Sequence, residues 1–261
     1  MGWQDDPLVA GKPKWESDPI VTASLAVSPQ SVAGPMIDIR PGVPAPLLIA
    51  PSANPYSAGR YPNNRVYTVG DERIFLNSDL LTRVEKNTRT RRVIRVDIEA
   101  DRVEMDHGNL IDLMGNNLTD GKTVFDVPRQ WNPSEFYVGK KWTAAFSGTE
   151  PNGFTWNTTH YMQIVKREII TVPAGTFDTF RIEGIGWNYT LGIRAEMTRW
   201  LVPGLIATVK QEQLRRGNKG EYIQADRQEL VAVRQQVFDT ACVSLSEERQ
   251  RSLAIRSNCT G

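Results

Sequence analysis

Histidine and cysteine are nearly missing from this chain, two of each in 261 residues, and that shortage excludes several chemistries together. Transition-metal sites draw on His and Cys clusters. Here His107 and His160 stand far from Cys242 and Cys259 in sequence, so no metal site is expected. There is no Gly-x-Ser-x-Gly elbow, and neither cysteine has a neighbouring histidine to act as its base. The phosphate loops Gly-x-x-x-x-Gly-Lys and Gly-x-Gly-x-x-Gly are absent, and no other cofactor is implied. No run approaches the roughly 18 apolar residues of a spanning helix; Pro46-Leu47-Leu48-Ile49-Ala50 is the most apolar stretch. The opening residues lack the basic start and apolar core of a signal peptide, and Asp6 stands where myristoylation wants Ser or Thr. The chain is then either cytosolic or a mature form whose leader has been removed. Charge of one sign is lacking too: 31 Lys and Arg offset 30 Asp and Glu, for a net charge of +1. Such a balance argues against nucleic acid or an anionic membrane surface as the main partner.

What is present is proline, placed unevenly. Eleven of the 16 prolines lie at or before Pro62. Each removes a backbone donor and restricts the residue before it, so residues 1–64 hold no long helix or central strand. They read as an extended arm with short strand-like pieces such as Met36–Ile39. Its apolar and aromatic residues, Trp3, Trp15, Leu47, Leu48, Ile49, Tyr56 and Tyr61, suit contact with the protein's own domain or with a partner protein. A disordered tail is the alternative.

From Arg65 to Gln235 the pattern has period two, the mark of half-buried antiparallel strands. Arg92–Glu99 places Ile94, Val96 and Ile98 on one face and Arg95, Asp97 and Glu99 on the other. Ala100-Asp101-Arg102 can turn the chain, after which Val103 and Met105 resume the apolar face. Asn152-Gly153 and Gly217-Asn218-Lys219-Gly220 are hairpin signals. Connections are too short for crossover helices, so the expected fold is mainly β: a curved antiparallel sheet or open β-barrel. Residues 236–261 form a separate tail. Ser246 can cap a short helix with Glu247 and Glu248 in its first turn. Cys242 and Cys259, 17 positions apart, bracket it. A bridge closing such a loop is worth about 3 kcal/mol where geometry allows; two free thiols are the other reading.

Three groups of residues could carry function. Asp97, Glu99, Asp101, Glu104 and Asp106 could form a cation site or an acid pair, but the interleaved Arg91, Arg92, Arg95 and Arg102 suit a charge-paired sheet face. An enzyme would require His107 or His160 to meet a carboxylate in a pocket. Trp142, Trp156, Trp187 and Trp200 could line a concave face that encloses an acyl chain or another hydrophobic ligand; core packing accounts for the same residues.

Val138-Gly139-Lys140-Lys141-Trp142, then Val172-Pro173-Ala174-Gly175-Thr176-Phe177-Asp178-Thr179-Phe180-Arg181-Ile182, then Thr198-Arg199-Trp200-Leu201-Val202-Pro203-Gly204-Leu205 form a distinctive series. This order resembles the bacterial envelope families of the DUF3108 and TapB-like groups, which are similar in turn to the lipoprotein-carrier half-barrel of LolA and LolB. The resemblance implies that fold and a periplasmic or extracellular-side location, and carries no catalytic residue. With it, the leading expectation is a non-catalytic envelope accessory or scaffold subunit, binding protein partners through the arm and the sheet surface. The alternative is a carrier for a lipid or other hydrophobic ligand.

Overall fold

The two-residue alternation becomes one long antiparallel sheet. The computed structural model describes residues 36–40 and 59–236. They belong to the second of two units into which the chain divides, Ala33–Gly261; the first is Met1–Val32. Trp3, Trp15, Leu47, Leu48, Ile49, Tyr56, the Ser246 cap and both cysteines lie outside the described residues.

The strands are β1 (Met36–Ile39), β2 (Tyr61–Pro62), β3 (Glu72–Asp79), β4 (Glu85–Asp97), β5 (Arg102–Met105), β6 (Leu110–Ile111), β7 (Thr119–Asp120) and β8 (Thr123–Phe125). They continue as β9 (Glu135–Phe136), β10 (Lys141–Thr149), β11 (Thr155–Val172), β12 (Gly175–Asn188), β13 (Ile193–Leu201), β14 (Thr208–Arg216) and β15 (Tyr222–Gln236). Around the sheet the order is β6-β5-β4-β3-β15-β14-β13-β12-β11-β10-β8-β7, with β1 added on β15 and β2 paired separately with β9. The terminal strands of that path meet. Leu118 N donates to Leu110 O at 2.8 Å, Leu110 N donates to Thr119 Oγ1 at 2.8 Å, and Ile111 bridges Asn117. The sheet is therefore nearly closed into a barrel, and the short strands β6 to β8 make the seam. Closure leaves few exposed edges, a recurrent requirement of all-β folds.

The two ends of the barrel differ. At one end, Phe136, Phe177, Phe180, Ile182, Leu201, Leu205, Ile206 and Leu230 are fully buried, each worth about 1.5–3 kcal/mol of burial. The segments between β11 and β12 and between β13 and β14 close over this end, with Ala174, Val202 and Ala207 buried. Arg167 and Asp178 are buried there as a two-pronged pair, at 2.9 and 2.6 Å. The turns β3–β4, β7–β8, β10–β11, β12–β13 and β14–β15 all project from the opposite end, as the antiparallel order requires.

The hairpin at Ile98–Asp101 and the buried Val103 and Met105 match the sequence reading. Ile94 and Ile98 do not: both are exposed, and Val93 is buried instead. The register slips between Val93 and Arg95. One extra residue there turns Ile94 outward and returns Val96 to the inner face, where it packs against the core as expected, while Ile98 is exposed because it opens the hairpin turn.

Candidate functional site

Inside the open half, the inward positions of four adjacent strands are mostly polar. On β3 they are Arg73 and Asn77, with the apolar Phe75 between them, and on β4 Asn87, Arg89 and Arg91. On β14 they are Gln211, Gln213 and Arg215, and on β15 Gln224, Asp226 and Gln228. Two further arginines enter from the irregular segments, Arg65 before β3 and Arg129 after β8, and Arg199 comes from β13. Seven arginines thus line one cavity of about 290 Å³, with Asp120 the one carboxylate among its lining residues. Toward the hairpin tips it adjoins a larger polar chamber of about 750 Å³, whose walls are carboxamides, Lys86, Thr88, Arg89 and Asp226.

Arg199 is fixed by three bonds: Nη1 to Asn132 Oδ1 at 2.8 Å, Nη2 to Thr208 Oγ1 at 2.9 Å and Nε to Gln211 Oε1 at 3.0 Å. None of these acceptors is charged. Burial, then the neighbouring Arg65, Arg129 and Arg73 charges, bring its pKa down to about 9. Arg129 lies with its guanidinium carbon 3.7 Å from the centre of the Trp131 ring and donates to Asp120 Oδ2 at 2.9 Å. Burial lowers it to about 10, with Asp120 pulling the other way. Both remain cationic at neutral pH. Arg73 donates to Ile206 O and Arg65 to Met114 O at 3.0 Å. The Nε atoms of Arg65, Arg73 and Arg129 are buried and make no hydrogen bond to protein. Buried guanidinium groups without matching carboxylates are costly to hold together.

A relay of amides supports the cluster. Asn132 Nδ2 donates to Gly115 O at 2.7 Å, its backbone N donates to Asn116 Oδ1 at 2.7 Å, and Asn116 is held in turn by both oxygens of buried Asp112. Gly115 sits at φ +84°, and a Cβ there would overlap Arg65 Nη1. The seam can approach the arginines only because this residue has no side chain.

A third chamber of about 260 Å³ shares Asp120, Arg129 and Arg215 with the arginine cavity. Its walls include Phe125, Phe146, Trp156, Leu191 and Ile193 together with His160. His160 is buried, stacked on Phe146 with ring centroids 5.9 Å apart, and both its ring nitrogens lack a protein partner. Its cross-strand partner is Gly186, where a Cβ would collide with the imidazole. Burial, then the Arg129 and Arg215 charges, lower its pKa to about 3, so the ring is neutral. His107 lies on an exposed turn, 3.8 Å from Asp106, away from the cavity lining.

The four tryptophans of the sequence reading divide between the faces. Trp156 lines the aromatic chamber. Trp142, opposite the inward Met162, donates from Nε1 to Gln130 O at 2.7 Å. Trp187 and Trp200 point outward, because each neighbours an inward residue on its strand, Gly186 and Arg199. Trp200 packs under Lys210 and Arg181 and donates to Glu168 at 2.9 Å. The acidic hairpin is charge-paired in part, through Arg91–Asp106 and Arg95–Asp97, while Arg92 pairs with Glu72 on β3. Among the described residues no group of three or more His, Cys, Asp or Glu is arranged to hold a metal, and no helix is long and apolar enough to cross a membrane.

No family model matches the chain, and no curated protein matches it. A solved structure from Bacteroides fragilis, described as that of a protein of YmcC-like fold thought to be exported, aligns with 68% of this chain and 99% of its own. The identity is 14% and the TM-score 0.41, a likeness that carries neither family nor function to this chain.

Proposed function

We propose that the protein is a binding module for an organic anion, held inside the barrel by Arg129, Arg199, Arg73 and Arg65. One observation carries this reading: seven arginines converge on a cavity with a single carboxylate, in a chain whose overall charge is +1. Folding alone gives no reason to concentrate cations there, since isolated buried cations destabilise. An anion in the cavity would offset the mutual repulsion of these cations, and guanidinium groups suit carboxylate and phosphate oxygens geometrically. The aromatic chamber behind Arg129 and Arg215 supports a ligand with an apolar part as well. A purely hydrophobic cargo accounts for the aromatic chamber alone and leaves the arginines unexplained. In this reading the chain works in the bacterial envelope, the compartment implied by the sequence resemblance, as a binding protein rather than a bare scaffold.

Thermal unfolding with inorganic phosphate, chloride replacing it at constant ionic strength, tests the reading. A ligand at about 100 times its Kd stabilises by about 2.7 kcal/mol, so the wild-type midpoint should rise by several degrees. In Arg129→Met the rise should vanish, while the phosphate-free midpoint stays level or increases because a buried cation has been removed. An equal rise in both proteins would reduce the effect to general salt stabilisation. No rise in the wild type, with a large loss of stability in the variant, would make the arginines structural.

A further inference from the structure

The mouth of the arginine cavity is ringed by the tips of five hairpins, and four of these hairpins carry exposed apolar side chains at or beside their tips. Leu81 and Val84 are exposed in the β3–β4 turn, Phe154 in β10–β11, Tyr189 and Leu191 in β12–β13, and Tyr222 where β15 begins. Exposed aliphatic residues also occur at the closed end, as Val69 and Ile98 show. Exposed aromatic residues do not: among the described residues Phe154, Tyr161, Trp187, Tyr189 and Tyr222 all lie at the mouth or on the half of the wall next to it. Trp187 and Tyr161 meet edge to face on that wall, centroids 6.1 Å apart, one strand position or a few back from the tips. Apolar tips with a band of Trp and Tyr just behind them form the arrangement that seats at a lipid–water interface.

We infer that the barrel docks mouth-first on a lipid surface bearing anionic headgroups, so that the anion enters the cavity from a membrane. This rests on the anion-binding reading above, and it names the ligand class as an anionic amphiphile. Charge complementarity decides between a lipid surface and other occupants. The apolar ring encloses an opening that leads past exposed Arg89 to the buried arginines, so whatever covers the ring must present both apolar groups and anions. A bilayer with anionic lipid presents both, apolar chains to the Leu81, Phe154, Tyr189 and Tyr222 side chains and anions to the opening. The overall charge of +1, which argued against an anionic surface, averages over cations that are gathered inside the barrel. The contact uses tip insertion, with the arginines selecting the headgroup.

The test is flotation of the full chain with phosphatidylcholine vesicles, with and without phosphatidylglycerol, for the wild type, Phe154→Ser, Tyr189→Ser and Arg129→Met. The serine substitutions are at exposed turn positions, and unchanged thermal midpoints confirm their fold. The wild type should float with phosphatidylglycerol vesicles. Each serine variant should lose roughly tenfold in partitioning while keeping its phosphate response. Arg129→Met should lose the preference for phosphatidylglycerol over phosphatidylcholine. Docking is overturned if the wild type stays in the aqueous layer with both vesicle types, or if the serine variants float as it does. A self-association of the wild type that the serine variants abolish, without flotation, would assign the ring to a second copy instead. Loss of the phosphate response in the wild type would overturn the cavity reading separately.

Discussion

His160 shows how a single side chain can report on the cavity. Its pKa is about 3 in the folded protein, held down by burial and by Arg129 and Arg215, against about 6.5 for an unperturbed histidine. Between those values the unfolded chain binds a proton that the folded one refuses, so the folded state loses about 1.4 kcal/mol per pH unit as pH falls through that window. The contribution is complete above about pH 6.5 and falls away toward pH 3. Replacing His160 by Phe keeps a ring against Phe146 and removes the titration. Urea midpoints measured between pH 4 and 7 should then fall less steeply than in the wild type, by the equivalent of one proton. Parallel slopes would show that His160 does not titrate as its surroundings demand. A lone histidine in a strand gives no warning of this, since Gly186 across the strand pair makes room for the ring and Phe146 and Trp131 pack on it, and pairing register cannot be read from one residue. The arginines were half legible. Arg89 and Arg91 alternate with threonine, and Gln211, Gln213 and Arg215 alternate with Lys210, Glu212 and Leu214. A strand polar on both faces inside a barrel means a wet interior. Counting Arg89, Arg91 and Arg92 against downstream acids hides this, because Arg92 and Glu72 pair with each other away from the cavity lining.

Among the elements, the long hairpins were the readable part. Pro173-Ala174 makes the two-residue link between Val172 and Gly175, and Asn152-Gly153 and Gly217–Gly220 turn where their composition says they should. The seam was not readable. Strands β6 to β8 have two or three residues each, too few for a period to show, and they are held by side chains rather than by a regular ladder. Asn132 is central to that arrangement, bonding Gly115, Asn116 and Arg199. Truncation to alanine removes the acceptor of Arg199 Nη1 and the side-chain donor to the Gly115 carbonyl, a cost of about 2–4 kcal/mol. In Asn132→Ala, amide hydrogen exchange should quicken over residues 110–125 and leave β11–β13 protected. Uniform quickening would mean that the seam is not a separate weak point. The register slip at Ile94 belongs here as well: alternation predicts the facing of a strand only until a bulge intervenes.

For the molecule as a whole, composition concealed the main feature. An average charge near zero and an ordinary hydrophobic content are what a barrel shows when seven of its arginines are gathered inside while acids and cations pair over the outer wall, as in Lys166–Glu168, Arg181–Glu183, Arg194–Glu196 and Arg227–Glu212. The barrel divides its labour along its length, with a dry end that stabilises the fold and an open end that spends part of that stability on buried charge. Such local destabilisation is characteristic of binding sites. Native mass spectrometry of the protein isolated gently from its own host, beside Arg129→Met prepared in the same way, addresses this most directly. The wild type should carry a bound species that is released as a phosphate-, sulfate- or carboxylate-bearing ion in negative mode, and the variant should not. A bare polypeptide mass for both proteins, or a neutral ligand retained equally by both, would contradict anion binding in the barrel.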